Sequence, residues 1–214
     1  DAIRGADGID PAVVDGGFAY RTDTKLSGIR IGYVAAMFEE DYPNKARDKA
    51  TLDTLRELGA TLEPIELPAI DVMPLACILS AEAAAAFDDL TRSNRDDLMV
   101  RQIKNAWPNT FRAARFIPAV EYIQANRIRT QVMHEMEKLP VDVYITPTFG
   151  GDNLLLTNLT GHPCVVLPNG FDDNGEPTSI TFMGRLYGDA TVLAVAKAYQ
   201  DATDFHTRRP PKFE

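Results

Sequence analysis

The stretch from Ile29 to Leu67 constrains the fold of this 214-residue chain more than any other. Its first segment, IRIGYV, puts β-branched and aromatic residues directly after the turn residue Gly28 and predicts a buried strand. In the following KARDKATLDTLRELGA, Ala46, Ala50, Leu52, Leu55 and Leu58 stand near helical spacing, and Gly59 sits where a left-handed C-terminal cap belongs. TLEPIEL, Thr61 to Leu67, supplies a second strand. A strand, a helix and a strand in so short a run form a βαβ unit, because a crossover through a helix joins parallel neighbours.

Further along, the pattern is helical from Met73 to Arg92 and again from Pro118 to Leu139. In the second segment Val120, Ile123, Ile128, Val132, Met136 and Leu139 mark the expected apolar face, with Pro118 tolerated in the first turn. The mixed stretch SNRDDLMVRQIKNAWPNTFRAAR between them is expected to hold short helices and loop. VDVYITP, Val141 to Pro147, reads as a strand and CVVLP as another, and FDDNGEP, with Asn174-Gly175, is a hairpin turn into TSITFMG. A last helix is predicted from Asp189 to Ala202, burying Val192, Leu193, Ala196 and Tyr199. This order predicts an α/β fold, a mixed sheet flanked by helices, in one domain.

Charge narrows the partners. With 22 basic against 31 acidic residues the net charge is -9, so tracking a nucleic-acid backbone or an anionic membrane would work against Coulomb repulsion. No run is apolar and long enough to span a bilayer, and DAIRGADGIDP has neither a basic nor an apolar leader region, so neither nucleic acid nor membrane is expected as a partner. That opening also lacks Met, which is expected of a chain trimmed or cut from something longer. Cys77 and Cys164, each among apolar neighbours, are expected to be buried free thiols. His134, His162 and His206 lie far apart with no metal-ligand spacing, and no metal or other cofactor is expected.

Several segments could carry chemistry. His162 and Cys164, two apart on an extended stretch, could face the same way, but Pro163 between them favours a structural loop histidine followed by a core cysteine. DGGF at 15–18 and FGGDN at 149–153 lack the spacing of phosphate-cradling loops. FGGDN is nevertheless the better functional candidate, because it follows a strand end where an α/β sheet presents its ligand face. Phe149, Asp152 and Asn153 are therefore the candidate substrate-binding residues, against the alternative of an Asx-type turn whose side chains serve the backbone. Arg92, Arg95, Arg101, Asp96 and Asp97 read as a solvated helix face, and Trp107 before Pro108 as core or interface packing rather than a substrate wall.

Taken together, IRIGYV, the helix ending in LGA, TLEPIELP, EYIQANRIR, DVYITPT, NLTGHPCVVLPNGF, ITFMGR and GDATVLAVAKAYQ resemble, in that order, the C-terminal part of the amidase signature family. The resemblance covers nearly the whole chain. It implies amide hydrolysis, either by a free-standing amidase or by the glutamine-hydrolysing A subunit of a tRNA-dependent amidotransferase. In that family a Ser nucleophile is relayed through a second, cis-linked Ser to a Lys, all from a Gly/Ser-rich N-terminal region. No GGSSGGS-like run and no Ser-Ser pair occurs here. No catalytic residue is therefore assigned to this chain, which is expected to supply scaffold and part of the substrate pocket, and NLTGHP is expected to be supporting structure.

Many family members carry a long insertion between TPT and NLTGHP, and amidotransferase members place an acidic residue there for the amino group of glutamine. Only Phe149 to Thr157 intervene here, and Asp152 is out of that register, so the resemblance favours a general amidase. The partners it implies are a small-molecule amide and the N-terminal half of the same protein. The chain alone is expected to be inactive, and either to self-associate or to stay bound to that half through strands left without neighbours, Ile29 to Val34 and Cys164 to Leu167 among them. The alternative is a stand-alone α/β ligand-binding or interaction module.

Overall fold

The crossover expected at Ile29–Leu67 forms. In the computed structural model, which describes residues 5–9, 13, 15–20 and 25–209, strand β1 is Ile31–Val34 and is followed directly by the short helix α1, Ala35–Glu39. Helix α2, Lys45–Glu57, leads to β2, Leu62–Ile65, which pairs parallel to β1. Gly59 closes α2 as expected. At φ +85° it donates its N–H to the Arg56 carbonyl at 2.9 Å, while Ala60 donates to Leu55 at 3.0 Å, the double bond of a Schellman cap. Much of the expected opening, residues 1–4 and 10–11 of DAIRGADGIDP, lies outside the described residues.

The remaining helices are α3, Ala76–Ala86, α4, Asp88–Arg92, α5, Trp107–Ala114, and α6, Ala119–Glu137. Then come β3, Val143–Pro147, α7, Asn153–Thr160, β4, Cys164–Phe171, β5, Pro177–Gly184, and α8, Asp189–Ala202. The strands make one five-stranded mixed sheet in the order β2-β1-β3-β5-β4, with β1 parallel to both β2 and β3 and β5 antiparallel to β3 and β4. The β4–β5 hairpin turns where expected: Gly175 has φ +77°, and Asp172 Oδ1 accepts the N–H groups of Asn174 and Glu176.

The chain divides into two compact units: one of residues 1–67, 137–157 and 161–214, the other of residues 68–136 and 158–160. The first holds the sheet and its core. Ile31, Val143, Ile145, Ile180 and Phe182 cluster with Leu52 and Leu55 of α2 and Val192, Val195, Ala196 and Tyr199 of α8. Gly32 fits because a side chain there would meet Ile65 Cγ2 at 2.9 Å and Val141 Cγ1 at 3.1 Å. At the amino end of the sheet Asp142 accepts from the Arg30 backbone at 3.1 Å and from its guanidinium at 2.5 and 3.1 Å, which holds the Asp142 carboxyl below its usual range.

Several expectations are corrected. On α2 the alanines 46 and 50 are exposed; the buried face is Asp48, Thr51, Leu52 and Leu55. It can be partly polar because Asn169 Nδ2 donates to Asp48 at 2.6 Å, Thr178 donates to Asn169 Oδ1 at 2.8 Å, and Thr51 lies 3.3 Å from the Tyr199 hydroxyl. On α6 only Ala125, Val132 and Met136 are buried, while Val120, Ile123 and Ile128 are exposed. On α8 Leu193 points outward. Cys164 is exposed and Cys77 half-buried, because Cys164 opens the edge strand β4 on the side away from the Ile180–Phe182 core. Strand β1 has neighbours on both sides from this chain, so of the two strands named in that expectation β4 is at an edge and β1 is not; β2 is the other edge of the described sheet. Within the expected solvated cluster, Asp96 is fully buried and pairs with Arg112. Trp107 is about half exposed and stacks on Phe111 with ring centroids 5.6 Å apart.

Candidate active site

β1 and β3 run parallel side by side, so their carboxyl ends, Val34 and Pro147, open on one edge of the sheet. That is the edge at which open α/β sheets take their ligands. Helix α1 leaves from the first end and the FGGDN turn from the second.

The turn is tight. Gly150 donates its N–H to the Pro147 carbonyl at 3.0 Å, and both Phe149, at φ +63°, and Gly151, at φ +49°, are left-handed. Met37 of α1 lies across the two glycines: a Cβ on Gly150 would come within 3.2 Å of its Sδ and 3.1 Å of the Pro147 carbonyl oxygen, and one on Gly151 within 3.2 Å of its Cε. Beside the turn the Thr148 hydroxyl donates to the Ser179 carbonyl at 2.9 Å, lies 3.1 Å from Thr181 Oγ1, and accepts from Ser179 Oγ at 3.1 Å. The start of β5 thereby anchors the end of β3.

Asn153 opens α7 and is buried. Its Oδ1 accepts from the Tyr144 hydroxyl at 3.0 Å and its Nδ2 donates to Thr146 Oγ1 at 3.3 Å, so both ends of the amide are used within the fold. Burial, with Cys164 adding, pushes the Tyr144 hydroxyl well above its ordinary pKa and keeps it a donor. Asp152, at the N-cap position of α7, makes no side-chain cap bond and is exposed. Phe149 is 83% exposed.

The three candidates therefore share one turn in two roles. Phe149 and Asp152 present their side chains outward, and Asn153 fixes the turn from below. An Asx-type turn does not form, because Asn153 serves two side chains rather than the backbone. Sequence reading missed Tyr144, Thr146 and Thr148 as supports, although their alternation along VDVYITPT carries the period of a single strand face. Met37 had no such signal. The GHP of NLTGHP, Gly161 to Pro163, lies at the other end of the sheet: Gly161, at φ +79°, ends α7, and the Pro163 carbonyl accepts from Gly184 at 2.8 Å. His162 there is half-buried, and burial lowers its pKa. Among the described residues no group of three or more His, Cys, Asp or Glu could hold a metal ion.

The frame is thus a mixed sheet with a glycine turn at the carboxyl end of β3. Residues 3–156 match the model of the Amidase family, and the chain belongs to that family. Among curated relatives, the glutamyl-tRNA(Gln) amidotransferase A subunit of Chloroflexus aggregans is 29% identical over 233 aligned positions, covering 86% of this chain and 46% of that protein. The alignment is longer than the 214-residue chain, so the relative carries residues in the matched span that this chain lacks. The chain spans about half the length of the curated relatives it matches. Its fold matches a bacterial aryl acylamidase of the amidase signature enzymes, TM-score 0.76 at 19% identity, over 95% of this chain and 50% of that one. It also matches the glutamyl-tRNA(Gln) amidotransferase A subunit of Thermotoga maritima, TM-score 0.64 at 21% identity, over 92% of this chain and 48% of that one.

Proposed function

We propose that this chain is the C-terminal part of an amidase that hydrolyses carboxylic amides through an acyl-enzyme on a serine, and that the serine and its Ser and Lys partners lie outside residues 1–214. The observation that carries this reading is the family match over residues 3–156, in a chain about half the length of its relatives that contains no Gly/Ser-rich nucleophile segment. In this reading the Phe149–Asp152 turn borders the substrate, and Asn153 positions it through Tyr144 and Thr146. The partners are a small amide and the N-terminal half of the same polypeptide.

The test is to trap the intermediate. The intact protein is incubated with a carboxylic amide, quenched, and searched for the acyl mass by peptide mass spectrometry. The acyl group is expected on a serine outside these 214 residues, and an acyl group on Cys164 would overturn the reading. An amidotransferase A subunit is the second reading, favoured by the names of the curated relatives. Turnover of glutamine, with simple amides left untouched, would select it.

A further inference from the structure

Phe149 carries two costs at once. It is a bulky residue in the left-handed region, φ +63°, where a side chain is strained, and its ring is 83% exposed, so no burial offsets the strain. The strain is held in place from several sides. Pro147 accepts the Gly150 N–H, Thr148 is fastened to Ser179 and Thr181, and Asn153 anchors the following helix. Directly after Phe149 in the chain, Gly150 and Gly151 present bare backbone with the Met37 thioether along it, and the close approach at Gly150 leaves little room for a side chain. The turn thus offers an aromatic face and a polarizable thioether at the ligand edge of the sheet, with Asp152 as its one charged side chain.

Resting on the amidase reading, we infer that Phe149 and Met37 form a specificity wall for the substrate, selecting amides that carry an aromatic or bulky aliphatic group over small polar amides such as glutamine or acetamide. An aromatic ring gains from stacking and a thioether from contact with it, whereas a small polar amide gains nothing from either. The discrimination expected from one such apolar contact is about tenfold or more in kcat/KM.

The experiment uses the intact enzyme with acetanilide, acetamide and glutamine as substrates and Phe149→Ala, Phe149→Gly, Met37→Ala and Asp152→Ala as variants. Both Phe149 variants are expected to lose about tenfold on acetanilide, mainly through KM, and to change acetamide little. Phe149→Gly relieves the left-handed strain, so its Tm should match or exceed that of Phe149→Ala. Loss in Phe149→Ala with full recovery in Phe149→Gly would trace the effect to the backbone and overturn the wall. Equal losses on all substrates would overturn it too. If Asp152→Ala raises KM while neither Phe149 nor Met37 variants shift the ratio between substrates, the site stands and the wall falls. If none of the four variants moves any KM, the site reading itself falls.

Discussion

The two units of the chain leave apolar residues in the open to different extents. In the sheet unit the large hydrophobics close on one another: Ile31, Ile145, Ile180, Phe182, Val195 and Tyr199 are all buried in one cluster. In the helical unit Leu98, Val100, Phe116 and Val120 are each more than 60% exposed, around an interior that includes Val72, Leu75, Ile78, Phe111, Val132 and Met136 with one buried charge, Asp96. Hydrophobic content alone therefore does not show where a core lies. In the sheet unit, strands and helices bring distant residues to one face; the helical unit leaves apolar area in the open, which soluble monomers seldom do on a large scale.

The largest expected effect tests the sheet side. Phe182 is fully buried, with its ring centroid 5.7 Å from that of Tyr199, and Phe182→Ala should cost about 3–5 kcal/mol in denaturant unfolding. A cost under about 1 kcal/mol would show that the cluster is not the core. On the helical side the test is ionic, the pair of Arg112 with the buried Asp96. Removing Arg112 strands the Asp96 carboxylate, and Arg112→Ala should cost about 3 kcal/mol, the low end for a buried pair because Arg112 is itself partly exposed. Asp96→Asn in the same background should recover much of that loss, and no recovery would mean that the charge is not the cause.

The third test concerns pH. Burial raises the Asp48 pKa, against the opposing hydrogen bond from Asn169 and the pull of Arg47. An acid whose folded pKa lies above its unfolded value binds more protons when folded, so its contribution to stability falls as pH rises from the unfolded pKa through the folded one. Asp48→Asn keeps an acceptor for Asn169 and removes the titration. The stability of this variant relative to the parent should therefore increase with pH across that window and then level off. A difference independent of pH would contradict the assignment. The smallest effect on folding belongs to the exposed apolar residues: Phe116→Ser with Val120→Ser should change unfolding free energy by less than about 0.5 kcal/mol per site. The same pair should reduce self-association of the isolated 214-residue chain, measured by sedimentation. A parent chain that stays monomeric at high concentration would refute that use of the exposed surface.

Where local chemistry decides, the fold was readable from the residues. Gly59 after LREL, the Asn174-Gly175 turn and the alternation of VDVYITP need only neighbours along the chain, and each element formed there. What was not readable depends on partners far away. Asp48 and Thr51 are on the buried face of α2 because Asn169, 121 positions later in the case of Asp48, satisfies them. The apolar positions of α6 suggested a buried stripe at Val120, Ile123 and Ile128, but a helix shows its period whatever covers it, and here those three stay exposed. The candidate site divides the same way. FGGDN was identifiable as a strand-end turn, whereas the inward role of Asn153 required Tyr144 and Thr146 to be placed beneath it.

A division of labour is central to the proposed function: scaffold and a substrate-bordering turn in this chain, the nucleophile elsewhere in the polypeptide. The most direct measurement compares amide turnover by the purified 214-residue chain with turnover by the full-length protein on the same carboxylic amides. Hydrolysis by the full-length protein and none by the chain alone is the expected result. Turnover by the isolated chain, abolished by Cys164→Ala, would contradict it and assign the chemistry to the exposed thiol on β4.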